Sequence, residues 1–183
     1  MSRAAKIAGG ALLAGGLVRT IADQIGAAGA LQKNLRESVG LLGQVGPAAD
    51  RTFGQFAAQV ANLSREVGVA QQEISGGLYE ALGAGVPKGN AIEFLRVASK
   101  ASIAGVTDLA TTVDGLTTVI NAYGLKASDA QKVSDSLFQT VNAGKLTFAE
   151  LSDSIFNVAP VAASANVSLQ EVGAAIATLT AGG

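Results

Sequence analysis

Signals that end a helix recur about every twenty residues from residue 68 to the end of the chain. Glycine and asparagine most readily adopt the left-handed conformation that terminates a helix. Residues of these two types stand at the regular positions Gly85, Gly105, Gly124, Gly144 and Asn166. An aliphatic residue follows each stop within two positions, where a Schellman-type cap places its hydrophobic contact. This spacing predicts a series of short helices that must bury their apolar faces against one another.

Signals that begin a helix follow the stops almost at once. A hydroxyl side chain stands shortly after four of them, at Thr107, Ser128, Thr147 and Ser168. Three residues beyond the last three lie Gln131, Glu150 and Glu171, which is the spacing of a capping box. The first and third starts, like the second and fourth, lie about forty residues apart, the length of one helical hairpin.

Apolar residues between these signals recur at helical spacing. They step by three or four positions along three stretches: Leu109, Val113, Leu116, Ile120 and Tyr123; Phe148, Leu151, Ile155 and Val158; Leu169, Val172, Ile176 and Leu179. The threonine-rich run TTVDGLTTVI has the β-branched content of a strand, but its apolar residues do not alternate. The sequence therefore predicts an all-α fold of successive antiparallel helices. It leaves open whether the helices form a bundle or a solenoid.

The chain is expected to divide near Pro47, within the break GPAAD. Residues 1–45 would form a Gly/Ala-rich, partly flexible helical segment, and residues 50–183 a core helical domain. The apolar stretch Ile7–Val18 would span only about 18 Å as a helix, which argues against a membrane crossing. Two interpretations of this stretch remain, a signal peptide and a small-residue helix that packs on a copy of itself or touches a membrane.

Composition excludes most common kinds of catalytic and metal site. The 183-residue chain has no histidine and no cysteine, which removes the usual zinc ligands, thiol nucleophiles and Ser-His triads. With 13 basic and 14 acidic residues, it lacks the positive charge expected of a protein that binds nucleic acid. We therefore expect no enzyme activity, no cofactor and no specific nucleic-acid binding.

Three patterns that suggest chemistry have simpler explanations. Glu150 and Asp153 would share a helix face like a general acid and base, but Glu150 fits the third position of a capping box. The aspartates between residues 108 and 135 lack the spacing of a calcium loop. The glycine-rich GAGVPKGN lacks the ending and the preceding strand of a phosphate loop. Pro160, inside the helix that starts near Thr147, predicts a kink or break near residues 158–159.

The segments TDLATTVDGLTTVINAYGLKASDA and SDSLFQTVNAGKLTFAELSDSIFNVAPVAASANVSLQEVGAAIATLT closely resemble the conserved core domain of bacteriophage tail tape measure proteins. The order of several short motifs makes the resemblance specific. They are Asn-Ala-Tyr-Gly, Leu-Phe-x-x-Val, Gly-Lys-x-Thr-Phe-x-Glu-Leu, Ala-Pro-x-Ala-Ala and Val-Ser-Leu-x-Glu. The likeness is strong over residues 88–181 and weaker over 50–87.

This resemblance implies a structural protein of a phage or prophage tail. Such a protein lies in the lumen of the tail tube, governs tail length during assembly, and leaves ahead of the DNA during injection. The implied partners are further copies of itself, the tail tube and tail tip proteins, assembly chaperones and, on ejection, the host envelope. The resemblance implies no catalytic residues. The residues of the helix start and stop signals, together with Pro160, would be determinants of the fold. Since tape measures are usually far longer, the chain would be the front portion of one or a truncated remnant.

Two other functions fit the residues. The first is a helical-repeat interaction module, such as a scaffold or adaptor, whose likeness to the tail proteins reflects shared helix punctuation. The second is a secreted, membrane-active protein that uses the small-residue stretch near the beginning of the chain.

Overall fold

The structure is a computed structural model that describes residues 26–182. These residues form eight α-helices. Helix α1 occupies residues 26–41. The others are α2 (Gly46–Val67), α3 (Gln71–Gly83), α4 (Ala91–Ala104), α5 (Leu109–Ala122), α6 (Ala130–Ala143), α7 (Phe148–Ser164) and α8 (Leu169–Ala181). A one-turn 3₁₀ helix, Ala127–Asp129, leads into α6. Residues 26–182 contain no β-strand, so the all-α prediction is confirmed.

The helices stack in two rows. Each helix from α2 to α8 contacts its neighbour along the chain and also the helix two places away. Helices α3, α5 and α7 thus form one row, the odd row, and α2, α4, α6 and α8 form the even row. The extensive helix–helix contacts are all of these two kinds. This order is that of a solenoid-like stack of hairpins, and it differs from a closed bundle, in which the first and last helices meet.

The apolar stripes form the core between the two rows. On α5 the predicted stripe is buried at Leu109, Val113, Leu116 and Ile120, and its last member, Tyr123, is half-buried just after the helix. On α7 and α8 the stripes are buried at first and end at exposed residues, Val158 and Leu179. Burying one such aliphatic side chain stabilises the fold by roughly 1.5–3 kcal/mol, so the stripes account for the stacking of helices that would not be stable alone.

The threonine-rich run lies in helix α5, as its apolar spacing predicts. Thr112 and Thr117 are buried in this helix. Their hydroxyls donate to backbone carbonyls one turn earlier, to Asp108 at 3.0 Å and to Val113 at 2.7 Å. These bonds satisfy the hydroxyls inside the core, which is why β-branched polar residues are tolerated there.

The break predicted near Pro160 is wrong, whereas the alternative, a kink at residues 158–159, stays a prediction. Helix α7 continues through Pro160 to Ser164. Proline removes one backbone donor and leaves the carbonyl of Phe156, four residues earlier, without its helical partner. Both residues are on the solvent side, where water can satisfy that carbonyl. The buried residues Ala159 and Ala162 hold the helix against the core on either side of the proline.

Helix α1 also packs against the stack. Leu35 and Val39 are buried, and the side-chain amide of Asn34 donates to the hydroxyl of Ser75 on α3 at 3.1 Å. The division of the chain between residues 1–45 and 50–183 stays a prediction. The apolar stretch Ile7–Val18 lies outside the described residues. Within residues 26–182, no helix combines the length and apolar character needed to cross a membrane.

Candidate functional site: helix caps and interhelix contacts

Helices α7 and α8 begin with reciprocal capping boxes. The backbone N–H of Thr147 donates to the Glu150 carboxylate at 2.7 Å, and the Glu150 N–H donates to the Thr147 hydroxyl at 3.2 Å. Ser168 and Glu171 repeat this pair at 2.8 Å and 3.3 Å. The backbone and hydroxyl donors hold the pKa of both carboxyls below its ordinary value. Both carboxylates therefore stay ionised and occupied at the helix ends, which does not suit proton transfer at neutral pH.

The other two predicted start residues are not the caps. Helix α5 is capped by Asp108, one residue after Thr107, and the Asp108 carboxylate accepts from the Thr111 N–H at 2.8 Å. Before α6, Ser128 lies inside the 3₁₀ turn, which moves the first α-helical residue to Ala130. The predicted capping box of Ser128 with Gln131 does not form, because the Gln131 side chain donates to Asp135 instead.

Four helices of the stack end in Schellman motifs. Gly85, Gly124 and Asn166 take left-handed φ angles of 92°, 62° and 57°. In each case the N–H of the next residue bonds back five positions, as from Leu125 to the Ile120 carbonyl at 2.8 Å. The fourth motif ends α4, but its left-handed residue is Val106, with φ 51°, and not the predicted Gly105.

Gly105 and Gly144 are required for close packing rather than for a left-handed turn. Gly105 has an ordinary helical φ of −83°, and Gly144 is extended, with φ −100°. A Cβ on Gly105 would lie 2.7 Å from the Cβ of Phe148, on α7. A Cβ on Gly144 would lie 2.5 Å from the Thr180 hydroxyl, on α8. Both glycines therefore let one helix end approach the side chain of another helix.

Replacing Val106 with glycine should stabilise the chain by about 0.5–1 kcal/mol. A left-handed conformation costs a residue with a Cβ roughly 1–2 kcal/mol, and glycine avoids this cost. Part of the gain is lost, because glycine makes the unfolded chain more flexible and so raises the entropy lost on folding. Val106 is 92% exposed, so little packing is lost. Urea unfolding followed by circular dichroism measures the change. Val167→Gly is the matched control, since Val167 follows the left-handed residue, and it should not stabilise.

Replacing Asp108 with alanine should cost about 1 kcal/mol at neutral pH, the usual value of an N-cap. Hydrogen bonds from the Thr111 backbone and hydroxyl hold the pKa of Asp108 below its ordinary value. The carboxylate therefore contributes stability above the unfolded pKa of about 3.9, and the contribution is lost as the pH falls through the lower folded pKa. Unfolding curves at several pH values should show that the difference in the free energy of unfolding between wild type and Asp108→Ala becomes smaller in that acidic range. Thr107→Ala should cost less than Asp108→Ala at every pH, and an equal cost would contradict the assignment of the cap.

Two polar contacts join α2 to later parts of the chain, and the sequence patterns do not indicate either of them. The Lys88 ammonium donates to the hydroxyl of buried Thr52 at 3.0 Å and lies 5.8 Å from the centre of the Phe56 ring. Lys88, in the glycine-rich GAGVPKGN, thus links the loop between α3 and α4 to helix α2. In addition, Arg96 of α4 pairs with Glu66 of α2 at 2.8 Å. The partners are 30 or more residues apart, so no local spacing could have indicated them.

Glu150 and Asp153, the two carboxylates that would share a helix face, have different roles in the fold. Glu150 belongs to its cap, whereas Asp153 lines a groove between α5 and α7 together with Asp114 and Phe156. Among residues 26–182 no three potential ligands lie close enough to hold a metal ion. The polar side chains and glycines described above therefore cap helices and set the distances between them.

Within residues 26–182, the two-row stack of capped hairpins, with glycines at close contacts between helices, is an all-α, solenoid-like fold. Residues 57–183 match the family of phage-related minor tail proteins, and the chain belongs to this family. A probable tape measure protein from Clostridium phage phiCD119 is 35% identical over 120 residues, which cover 63% of this chain and 13% of that protein. The chain thus corresponds to a small part of this relative's length. No solved structure matches. The family predicted from the sequence is confirmed.

Proposed function

We propose that this chain is the core segment of a tape measure protein, which lies in the lumen of the phage tail tube and governs tail length during assembly. The family of phage-related minor tail proteins and the relative named as a probable tape measure support this proposal. The observation that carries it is the match from residue 57 to residue 183, because that range takes in every helix from α3 to α8.

The function we propose is structural and without catalysis. It is supported by the role of three carboxylates in the fold, since Asp108, Glu150 and Glu171 all cap the N-terminal ends of helices. The proposed partners are further copies of the chain, the tail tube and tail tip proteins and the assembly chaperones. We further propose that the protein leaves the tail ahead of the DNA and meets the host envelope at that stage.

Tail length measured by electron microscopy tests the proposal. In the phage gene that encodes this chain, an in-frame deletion outside residues 57–183 should shorten the tail by about 1.5 Å for each helical residue removed. A duplication of the same stretch should lengthen it by the same amount. The matched control replaces that stretch with an unrelated helical sequence of equal length, which should leave the length unchanged. Tails of wild-type length in the deletion and duplication phages would contradict the proposal.

The core segment itself gives a second measurement. Stacked helices add only about 8–10 Å per hairpin along the stack, whereas the same forty residues in one continuous helix add about 60 Å. Deleting one hairpin, α5 with α6, should therefore change tail length far less than deleting forty residues of continuous helix. Equal shortening by the two deletions would show that the stack does not persist in the tube.

A further inference from the structure

The two rows of the stack differ in charge. The odd row (α3, α5, α7) contains five acidic residues and no lysine or arginine: Glu73, Glu80, Asp114, Glu150 and Asp153. All five are on the exposed surface, as is Asp108, which caps α5. The even row contains five acidic and five basic residues, so it is neutral. One broad face of the stack is therefore negative, although the chain as a whole is nearly neutral.

The carboxylates of the odd row are close enough to affect one another. The pKa of Glu80 is raised by partial burial and then by the negative charges of Asp114 and Asp108, both on the neighbouring helix. Among the described residues, one ion pair joins two α-helices, that of Arg96 with Glu66, and it lies in the even row. The negative charge of the odd row thus remains available to a partner from outside this row.

A groove between α5 and α7 lies within this negative face. Its volume is about 270 Å³, and its lining is Thr111, Asp114, Gly115, Ser152, Asp153 and Phe156. The floor is formed where Gly115 and Ser152 meet, since a Cβ on Gly115 would lie 3.0 Å from the Ser152 hydroxyl. Phe156 stands at the groove with 56% of its surface exposed, so its ring is accessible to a ligand.

The lining combines an exposed aromatic ring with one carboxylate from each helix. Lysine and arginine side chains have an apolar stem and a cationic head, so the stem can lie on the ring while the head pairs with Asp114 or Asp153. A cation near an aromatic face gains a further attraction. An acidic or purely apolar segment would leave both carboxylates unpaired against it.

We propose that the groove between α5 and α7, with the acidic odd row around it, is a docking surface for a lysine- and arginine-rich segment of a partner protein. Complementary charge selects this occupant, and the groove with Phe156 fixes the position of one basic side chain. The inference does not depend on the role in tail length, because it rests on the charge and shape of this face alone.

Binding of a labelled peptide to the full chain tests the inference. The probe is a fluorescein-labelled twelve-residue peptide of alternating lysine, arginine and serine, followed by fluorescence anisotropy at low and at physiological salt. A peptide with glutamate in place of every basic residue is the control probe. We expect saturable binding of the basic peptide that weakens as salt rises, and no binding of the acidic one.

Matched variants assign the binding to the odd row. Asp114→Asn with Asp153→Asn should weaken binding about fivefold or more, since two exposed ion pairs are lost. Asp50→Asn with Asp135→Asn removes the same charge from the even row and should change binding less than twofold. Phe156→Ala should weaken binding about threefold even when salt screens the carboxylates. All these positions are exposed, so the variants should retain the circular dichroism spectrum of the wild type.

Three outcomes would overturn the proposal. The first is an equal loss in the two pairs of aspartate variants, which would mean binding to net charge alone. The second is the absence of saturable binding at low salt. The third concerns the chain's own basic residues Arg3, Lys6 and Arg19. If replacing these three with glutamine tightens peptide binding more than threefold, the first residues of the chain, and not a partner, occupy the face.

Discussion

Replacing Phe148 with alanine should lower the free energy of unfolding by about 3–5 kcal/mol, the usual cost of removing a buried aromatic side chain. Phe148 is the first residue of α7 and is 2% exposed. Its ring stacks on Phe138 of α6 with a centroid distance of 4.7 Å, and its Cβ and Cγ face Gly105 at the end of α4. One side chain thus joins three helices of both rows, so its removal leaves a cavity where they meet.

Phe156→Ala is the matched control for this prediction. It makes the same chemical change on the same helix, two turns further along, at a side chain that is 56% exposed. It should cost less than about 1 kcal/mol, since little surface is removed from the core. Urea unfolding of the full chain, followed by circular dichroism, gives both values. A loss of stability that is equal in the two variants would contradict the central position of Phe148.

The features predictable from sequence are those set by residues within one helix. The capping boxes join residues three positions apart, and the apolar stripes repeat every three or four, so local spacing is sufficient for both. Helices α5 to α8 therefore begin within two residues of the expected start signals. The Schellman ends at Gly85, Gly124 and Asn166 are local in the same sense.

The features that sequence could not give depend on a partner from another helix. Gly105 and Gly144 have the same residue type and spacing as the true left-handed stops, but Phe148 and Thr180 determine their roles. Pro160 has the strongest local signal to break a helix, yet burial on both sides of it maintains α7. In each case tertiary packing outweighs a local preference worth a few kcal/mol or less.

The candidate docking surface belongs to this second kind. Asp114 and Asp153 lie 39 positions apart and have no common motif in the sequence. They come to one groove because every second helix falls in the same row. The acidic bias of the odd row is invisible in the composition, since the even row is neutral and the residues outside the two rows carry the balancing positive charge.

Replacing Gly105 with alanine should destabilise the chain by about 1–3 kcal/mol, although alanine suits the local backbone better than glycine does. The φ angle of −83° is ordinary for alanine, and the unfolded chain would lose freedom, which alone would favour the variant. The new methyl group, however, would lie 2.7 Å from the Cβ and 2.8 Å from the Cγ of Phe148. Overpacking of this kind forces α4 and α7 apart and costs more than the gain from the backbone.

A second glycine and a double mutant separate these two effects. Gly54→Ala makes the same change inside α2, where nothing lies within 4 Å of the new methyl group, and should stabilise the chain by about 0.5–1 kcal/mol. In the Phe148→Ala background the contact with the Cγ is gone, the contact with the Cβ remains, and α7 can shift into the space that the ring leaves. The cost of Gly105→Ala should therefore fall by about 0.5–2 kcal/mol, the coupling expected for residues in contact. If both glycine variants stabilise the chain, then close packing is not the reason for this glycine.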